Sequence, residues 1–185
     1  MRVSLFTRWP EAGKAKTRLI PVLGGQGAAD LHQRLTERTV ATVRAAGLTL
    51  EVRSTGAEPA QFRDWLGVEA VVDQRDGDLG MRLARAAEAL PVVLLGADIP
   101  GLTPEHLISA VEALGKAPAV IGPAADGGYW LLGLARAVPG VFDGIVWGTS
   151  TVFAATLARL PGDSVQLATL SDLDTPEDLA RWPGI

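Results

Sequence analysis

The chain has 185 residues, is 48% apolar and carries a formal net charge of −4, with a mean hydropathy of +0.21. These values exclude a disordered chain, which needs low hydrophobicity and high net charge. They also show no basic surplus of the kind a duplex nucleic-acid binder carries. The absence of cysteine excludes disulfides, thiol nucleophiles and thiolate zinc sites, and no apolar run approaches the roughly 20 residues of a bilayer span.

The length predicts one domain, residues 1–185. Val3–Phe6 reads as a first buried strand, and a basic loop, Arg8–Arg18, follows it. Gly27–Ala46 fits an amphipathic helix with Leu31, Leu35, Val40 and Val43 near one face and Gly47 as its stop. Leu48–Val52 is a strand, Pro59–Leu66 a short helix and Glu69–Val72 a third strand. Leu79–Leu90 is Ala/Leu/Arg-rich and helical, ended by Pro91. Val92–Leu95, apolar on both faces, is the expected centre of the sheet. Pro104–Leu114 is a helix capped by Thr103. Ala119–Ile121 and Tyr129–Leu134 are strands, Ser150–Leu160 a helix, Val165–Leu167 a strand and Pro176–Trp182 a last helix behind Thr175. Alternating strands and helices predict a mostly parallel sheet covered on both faces. The interval from Gly122 to Thr149, rich in Gly, Pro and aromatics, breaks that alternation, as an insertion shaping an acceptor pocket does. Its segment Val141–Trp147 reads as an apolar surface able to pair two copies of the chain.

Carboxylates fall where apolar runs end. Asp98 follows Val92–Leu95, and Pro100 and Gly101 turn the chain just after it. Such an acid points into the crevice at the carboxyl end of the sheet, where ligands bind. Asp126 precedes Gly127 and Gly128, which permit close approach of a ligand; a hairpin turn accounts for the same residues. Tyr129 or Trp130 offers a ring for a base or sugar. Asp172 and Asp174 alternate onto one side of an extended segment. Thr175, Pro176, Glu177 and Asp178 form a helix start, so one of the two earlier acids is free to hold a metal. In the first loop Gly13, Lys14, Lys16 and Arg18 supply the flexible backbone and the cations of a phosphate site. Asp78 caps a helix and lies near the space for a base or ribose. Trp147 is placed to line an acceptor pocket. His32 and His106 read as structural or surface residues, not ligands.

Five segments, FTRWPEAGKAKTRL, GADIPGLT, GPAADGGYWLLGL, WGTSTVF and SDLDTPEDL, occur in this order. With them the chain resembles the small bacterial glycosyltransferase A-like proteins of the nucleotide-diphospho-sugar transferase superfamily, related to 2-phospholactate guanylyltransferase and the molybdenum-cofactor nucleotidyltransferases. Arg8 stands where the family pattern has Lys, and Gly148 where it has Ser. The resemblance implies a GT-A-like, Rossmann-like three-layer α/β sandwich that binds a nucleotide across the front half of the sheet. It implies Mg²⁺ or Mn²⁺ on Asp98 and Asp174, with Lys14, Lys16 and Arg18 on the phosphates and Asp126 acting on the acceptor. The expected partners are a nucleotide or nucleotide-sugar donor and a small-molecule acceptor, with no nucleic acid and no membrane. The expected activity is metal-dependent glycosyl transfer in the cytoplasm. The alternatives are nucleotidyl transfer with pyrophosphate release, or nucleotide binding without catalysis.

Overall fold

Strand β1 (Arg2–Arg8) buries Val3, Ser4 and Leu5 completely, so it must be covered on both faces. The computed structural model, which describes residues 1–185, places it near the middle of a seven-stranded sheet. Its parallel neighbours are β2 (Thr49–Thr55) and β4 (Val92–Gly96). Beyond β2 lies β3 (Val71–Asp73); beyond β4 come β6 (Tyr129–Leu134), β5 (Ala119–Pro123) and β7 (Val165–Gln166). The order is β3-β2-β1-β4-β6-β5-β7, and only β6 runs against the rest. The carboxyl ends of β1, β4 and β5 therefore share one edge with the turn that leads into β6.

Two helical layers cover the sheet. On one face α1 (Ile20–Ala45), α2 (Pro59–Leu66) and α4 (Pro104–Leu114) bring Val40, Val43, Phe62, Leu66 and Leu107 onto Leu5, Val52 and Leu95. On the other, α3 (Leu79–Ala86), residues 137–147 and α5 (Val152–Leu157) bring Leu83, Ala86 and Val141 onto Leu94, Ile121 and Leu132. A third, small cluster of Leu19, Leu31, Leu35 and Leu173 ties the first loop to the segment before α6 (Pro176–Leu179). No helix is long and apolar enough to cross a membrane.

Where Pro and capping residues mark the ends, α2, α4 and β6 match the sequence reading to the residue. Thr103 and His106 form a capping box, the Thr103 N–H donating to His106 Nδ1 at 3.1 Å. Two helices differ. α1 begins at Ile20, ahead of a kink where Gly24 adopts φ 70°. α3 stops at Ala86, four residues before the expected end. Arg2 marks the stop: its guanidinium donates to the carbonyl of Ala86, which a helix running to Leu90 would offer to the Leu90 N–H, and to that of Ala89 beyond it. The segment Val141–Trp147 is not an apolar surface. Val141 and Ile145 are buried, Phe142 and Trp147 pack against the core, and only Val146 is strongly exposed.

Candidate active site

The first loop leaves β1 at Arg8 and re-enters order in a 3-10 turn, Thr17–Leu19, pinned by buried Leu19. Just before that turn Lys16 takes a left-handed backbone, φ 45° and ψ 49°, a conformation that costs a non-glycine residue on the order of 1 kcal/mol. It turns the side chain inward, where it is 6% exposed and its Nζ lies 3.6 Å from Asp98 Oδ2 and 3.4 Å from Asp174 Oδ1. Arg18 Nη1 meets the other oxygen of Asp174 at 2.7 Å. Four sequence-selected residues thus converge. Lys14 does not join them: it is exposed and pairs with Glu11 at 2.9 Å. Gly13 has φ 82°, a turn position that favours glycine.

Asp98 and Asp174 are held together through the backbone. The Leu173 N–H donates to the Asp98 carbonyl at 2.9 Å, and the Leu173 side chain is fully buried. With Leu173 turned inward, Asp172 and Asp174 face the other way, as alternation predicts. Asp178 accepts from the N–H groups of Asp174 (3.1 Å) and Thr175 (2.9 Å), so the α6 cap also fixes the backbone of Asp174. Burial raises the Asp178 carboxyl, but these donors outweigh it and the net shift is downward. Asp172 goes the other way. Burial first, and then the charge of Asp126, push its carboxyl up to about 6. Asp126 and Asp98 are thus near enough to Asp172 to raise its pKa.

Asp126 occupies the β5–β6 turn, and its Oδ1 accepts from the Gly128 N–H at 2.8 Å. The turn-forming and the site-facing readings therefore apply to one residue, because the same carboxylate lines a cleft of about 430 Å³. Arg18, Asp174, Gly128, Thr149 and Ser150 share its polar rim, and Tyr129 and Trp147 its wall. Gly127 has no room for a side chain, since a Cβ there would sit 2.2 Å from the Ser150 carbonyl oxygen. Gly80 likewise lets Trp147 lie against α3. Trp130 is 2% exposed and donates to the Ala168 carbonyl at 3.1 Å, so it packs the floor and offers no free face for stacking. The Tyr129 hydroxyl is buried beside Thr156 without a hydrogen bond of normal geometry, and burial raises its pKa. Gly148, which stands for the pattern's Ser, has φ 77° and open space around it. Hydroxyls at this loop come instead from Thr149, Ser150 and Thr151.

Asp78 caps α3, accepting from the Met81 N–H at 2.8 Å. The loop before it is anchored by Gln74, whose amide donates to the carbonyls of Thr7 (3.1 Å) and Arg53 (2.7 Å). At the end of β1 His32 reaches the Arg8 carbonyl at 3.0 Å and the Thr7 hydroxyl at 3.2 Å, and Thr7 meets Thr36 at 3.1 Å. Burial is the main cause of a lowered His32 pKa. Of the structural and surface readings of His32, the structure takes the first, a buried residue at the end of β1. The available signal was a run of polar residues, His32, Thr36 and Thr39, on the buried side of an amphipathic helix.

No three His, Asp or Glu side chains are grouped so as to hold a metal by themselves. The donor set does fit Mg²⁺, which binds through one or two carboxylates, substrate phosphates and retained water. Asp98 and Asp174 are partly exposed, and a cation, the Lys16 ammonium, already lies between them.

A family model described as an uncharacterized protein conserved in bacteria, DUF2064, matches residues 36–149. The chain belongs to this family. Among the solved structures similar to this chain is a protein of Desulfovibrio desulfuricans described as a nucleotide-diphospho-sugar transferase. It is 34% identical with a TM-score of 0.84, and the match covers 94% of this chain and 82% of that one. The phosphoenolpyruvate guanylyltransferase of Geodermatophilus obscurus is 36% identical over 124 residues, which are 61% of this chain and 57% of the relative. The 2-phospho-L-lactate guanylyltransferase of Methanosarcina barkeri is 26% identical over 176 residues, covering 90% of this chain and 80% of the relative. This DUF2064 chain thus shares the α/β fold, with its mostly parallel seven-stranded sheet, with the Desulfovibrio protein.

Proposed function

We propose that the chain is a transferase that moves a nucleotidyl group from a nucleoside triphosphate, GTP first among them, to the phosphate of a small acceptor, with release of pyrophosphate. The observation that carries this reading is the meeting of Lys16 and Arg18 with Asp98 and Asp174 at the carboxyl edge of β1 and β4. Two cations beside two partly exposed carboxylates suit a triphosphate that arrives with a divalent ion. The guanylyltransferase names of two relatives support the same chemistry. They move glycosyl transfer, the activity expected from the family resemblance, to second place.

Each residue has a part in this scheme. Lys16 and Arg18 neutralise the triphosphate and stabilise the charge that builds on the departing pyrophosphate, while Gly13 turns the loop that carries them and Lys14 stays at its exposed edge with Glu11. Asp98 and Asp174 would hold Mg²⁺ or Mn²⁺, with Asp172 as the alternative to Asp174; the ion supplies charge neutralisation on the phosphates. Asp78 and its loop face the nucleoside. Asp126, Gly127, Gly128, Tyr129 and Trp147 seat the acceptor, and Asp126 orients it. Residues 1–185 act as one catalytic domain, in the cytoplasm.

The test is pyrophosphate release from each of the four NTPs, with phosphoenolpyruvate, 2-phospholactate and other phosphate monoesters as acceptors and sugar nucleotides in parallel. Release with one NTP is expected, and Asp98→Asn lowers its kcat by about 100-fold or more. Transfer from a sugar nucleotide, with no pyrophosphate from any NTP, would refute the reading.

A further inference from the structure

The acceptor side of this site has a character that its basic loop does not share. The 430 Å³ cleft lies within the range of pockets that enclose drug-sized ligands. No residue of β2 or β3 lines it; its wall comes from β1, α3, β4, β6 and the 147–152 segment. Phe6, Leu79, Leu83, Leu94 and Trp147 make that wall apolar. The charges along it are one cation and two carboxylates: Arg18, Asp126 and Asp174. The cation is already engaged by Asp174 at 2.7 Å.

An acceptor bearing a carboxylate beside its phosphate would bring a second anionic group against Asp126 to a cleft whose one cation, Arg18, serves the phosphate, and would leave the apolar wall in water. Resting on the nucleotidyl-transfer reading above, we infer that the acceptor is the phosphate monoester of an uncharged alcohol with an apolar body at least the size of a ring. Its phosphate faces Arg18 at the rim, and its body lies on Leu79, Leu83 and Trp147. In the reaction an oxygen of the acceptor phosphate forms a bond to the α-phosphorus of the NTP. The bond from that phosphorus to the oxygen bridging the β-phosphate breaks, and pyrophosphate departs with the electron pair. No proton need move, because a phosphate monoester with a second pKa near 6 is a dianion at pH 8.

The experiment uses the full chain and benzyl phosphate as probe, with phosphoenolpyruvate and 2-phospholactate as the charged comparison. Binding is read by calorimetry and turnover by pyrophosphate release with GTP and Mg²⁺. Benzyl phosphate is expected to bind, and to turn over in kcat/KM, about tenfold or more better than either acid, the factor that burial of one ring supplies. Leu79 is 41% exposed, so Leu79→Asp places a charge on the wall without entering the core. It lowers benzyl phosphate affinity about tenfold and leaves GTP affinity unchanged. Ile108→Asp, at an exposed position of α4, changes neither. Tighter binding and faster turnover of either acid overturn the inference and leave nucleotidyl transfer standing. Leu79-dependent binding of benzyl phosphate with no pyrophosphate from any NTP upholds the acceptor chemistry and removes the nucleotidyl reading. Absence of binding by all three overturns the inference.

Discussion

His32 sits one hydrogen bond from the point where β1 gives way to the basic loop, and its burial disfavours the charged ring. The consequence for stability has a definite sign. The folded pKa lies below the unfolded value of 6.5, so below pH 6.5 the unfolded chain takes up a proton that the folded chain refuses. Stability from this group is complete above pH 6.5 and is lost as pH falls through the folded pKa. His32→Asn is expected to flatten the decline in Tm between pH 6.5 and 5, which thermal unfolding across that range measures; parallel curves for the two proteins would contradict it. At this scale the sequence was legible where chemistry coincides with punctuation. Asp98 follows an apolar run and precedes Pro100 and Gly101, and both features are visible in one dimension. The difference between Lys14 and Lys16 was not. Two lysines two residues apart look alike until the left-handed turn at Lys16 sends one inward and leaves the other with Glu11.

Among the elements, the β5–β6 turn carries the strictest demand on residue type. Gly127 combines φ 89° with a Cβ position 2.2 Å from the Ser150 carbonyl oxygen, and its own carbonyl accepts from the Phe153 N–H at 2.9 Å. Gly127→Ala would strain the turn by about 1–3 kcal/mol and push the 149–153 segment off it. The expected result is a lower Tm and an acceptor KM raised by about tenfold or more, with NTP affinity unchanged. Steady-state kinetics with each substrate varied in turn distinguishes this from general loss of fold, in which both affinities fall together. Element ends were readable where their signals are local, as with Pro59, Thr103 and Pro104. The end of α3 was not, because the group that stops it, Arg2, is 84 residues from Ala86 in the chain.

The molecule as a whole is two hydrophobic layers that share one sheet, so neither layer can melt alone without exposing the strands of the other. Leu95 belongs to the α1/α2/α4 face and Leu132 to the α3/α5 face, both fully or almost fully buried. Leu95→Ala and Leu132→Ala are each expected to cost about 2–5 kcal/mol. Each should shift one coincident unfolding transition, followed by circular dichroism and by tryptophan fluorescence in denaturant; two separated transitions would contradict a shared sheet. The layered class could be read from alternating strands and helices. The reversal of β6 could not, since a strand buried on both faces has the same apolar run in either direction.

That reversal has a consequence for how such a scaffold can diversify. Because β6 starts at the edge where β1 and β4 end, a simple hairpin delivers Asp126 to the same edge as Asp98 without a crossover helix. The hairpin and the 147–152 segment that packs on it form a patch of the cleft that can lengthen, shorten or change its side chains. Lys16 and Asp98 lie on other elements, whereas Asp174 follows Leu170, which hydrogen-bonds to Pro123 and Ala125 of the hairpin. On the proposed nucleotidyl-transfer reading, the side chains of this patch can change the acceptor while Lys16 and Asp98 keep the donor side constant.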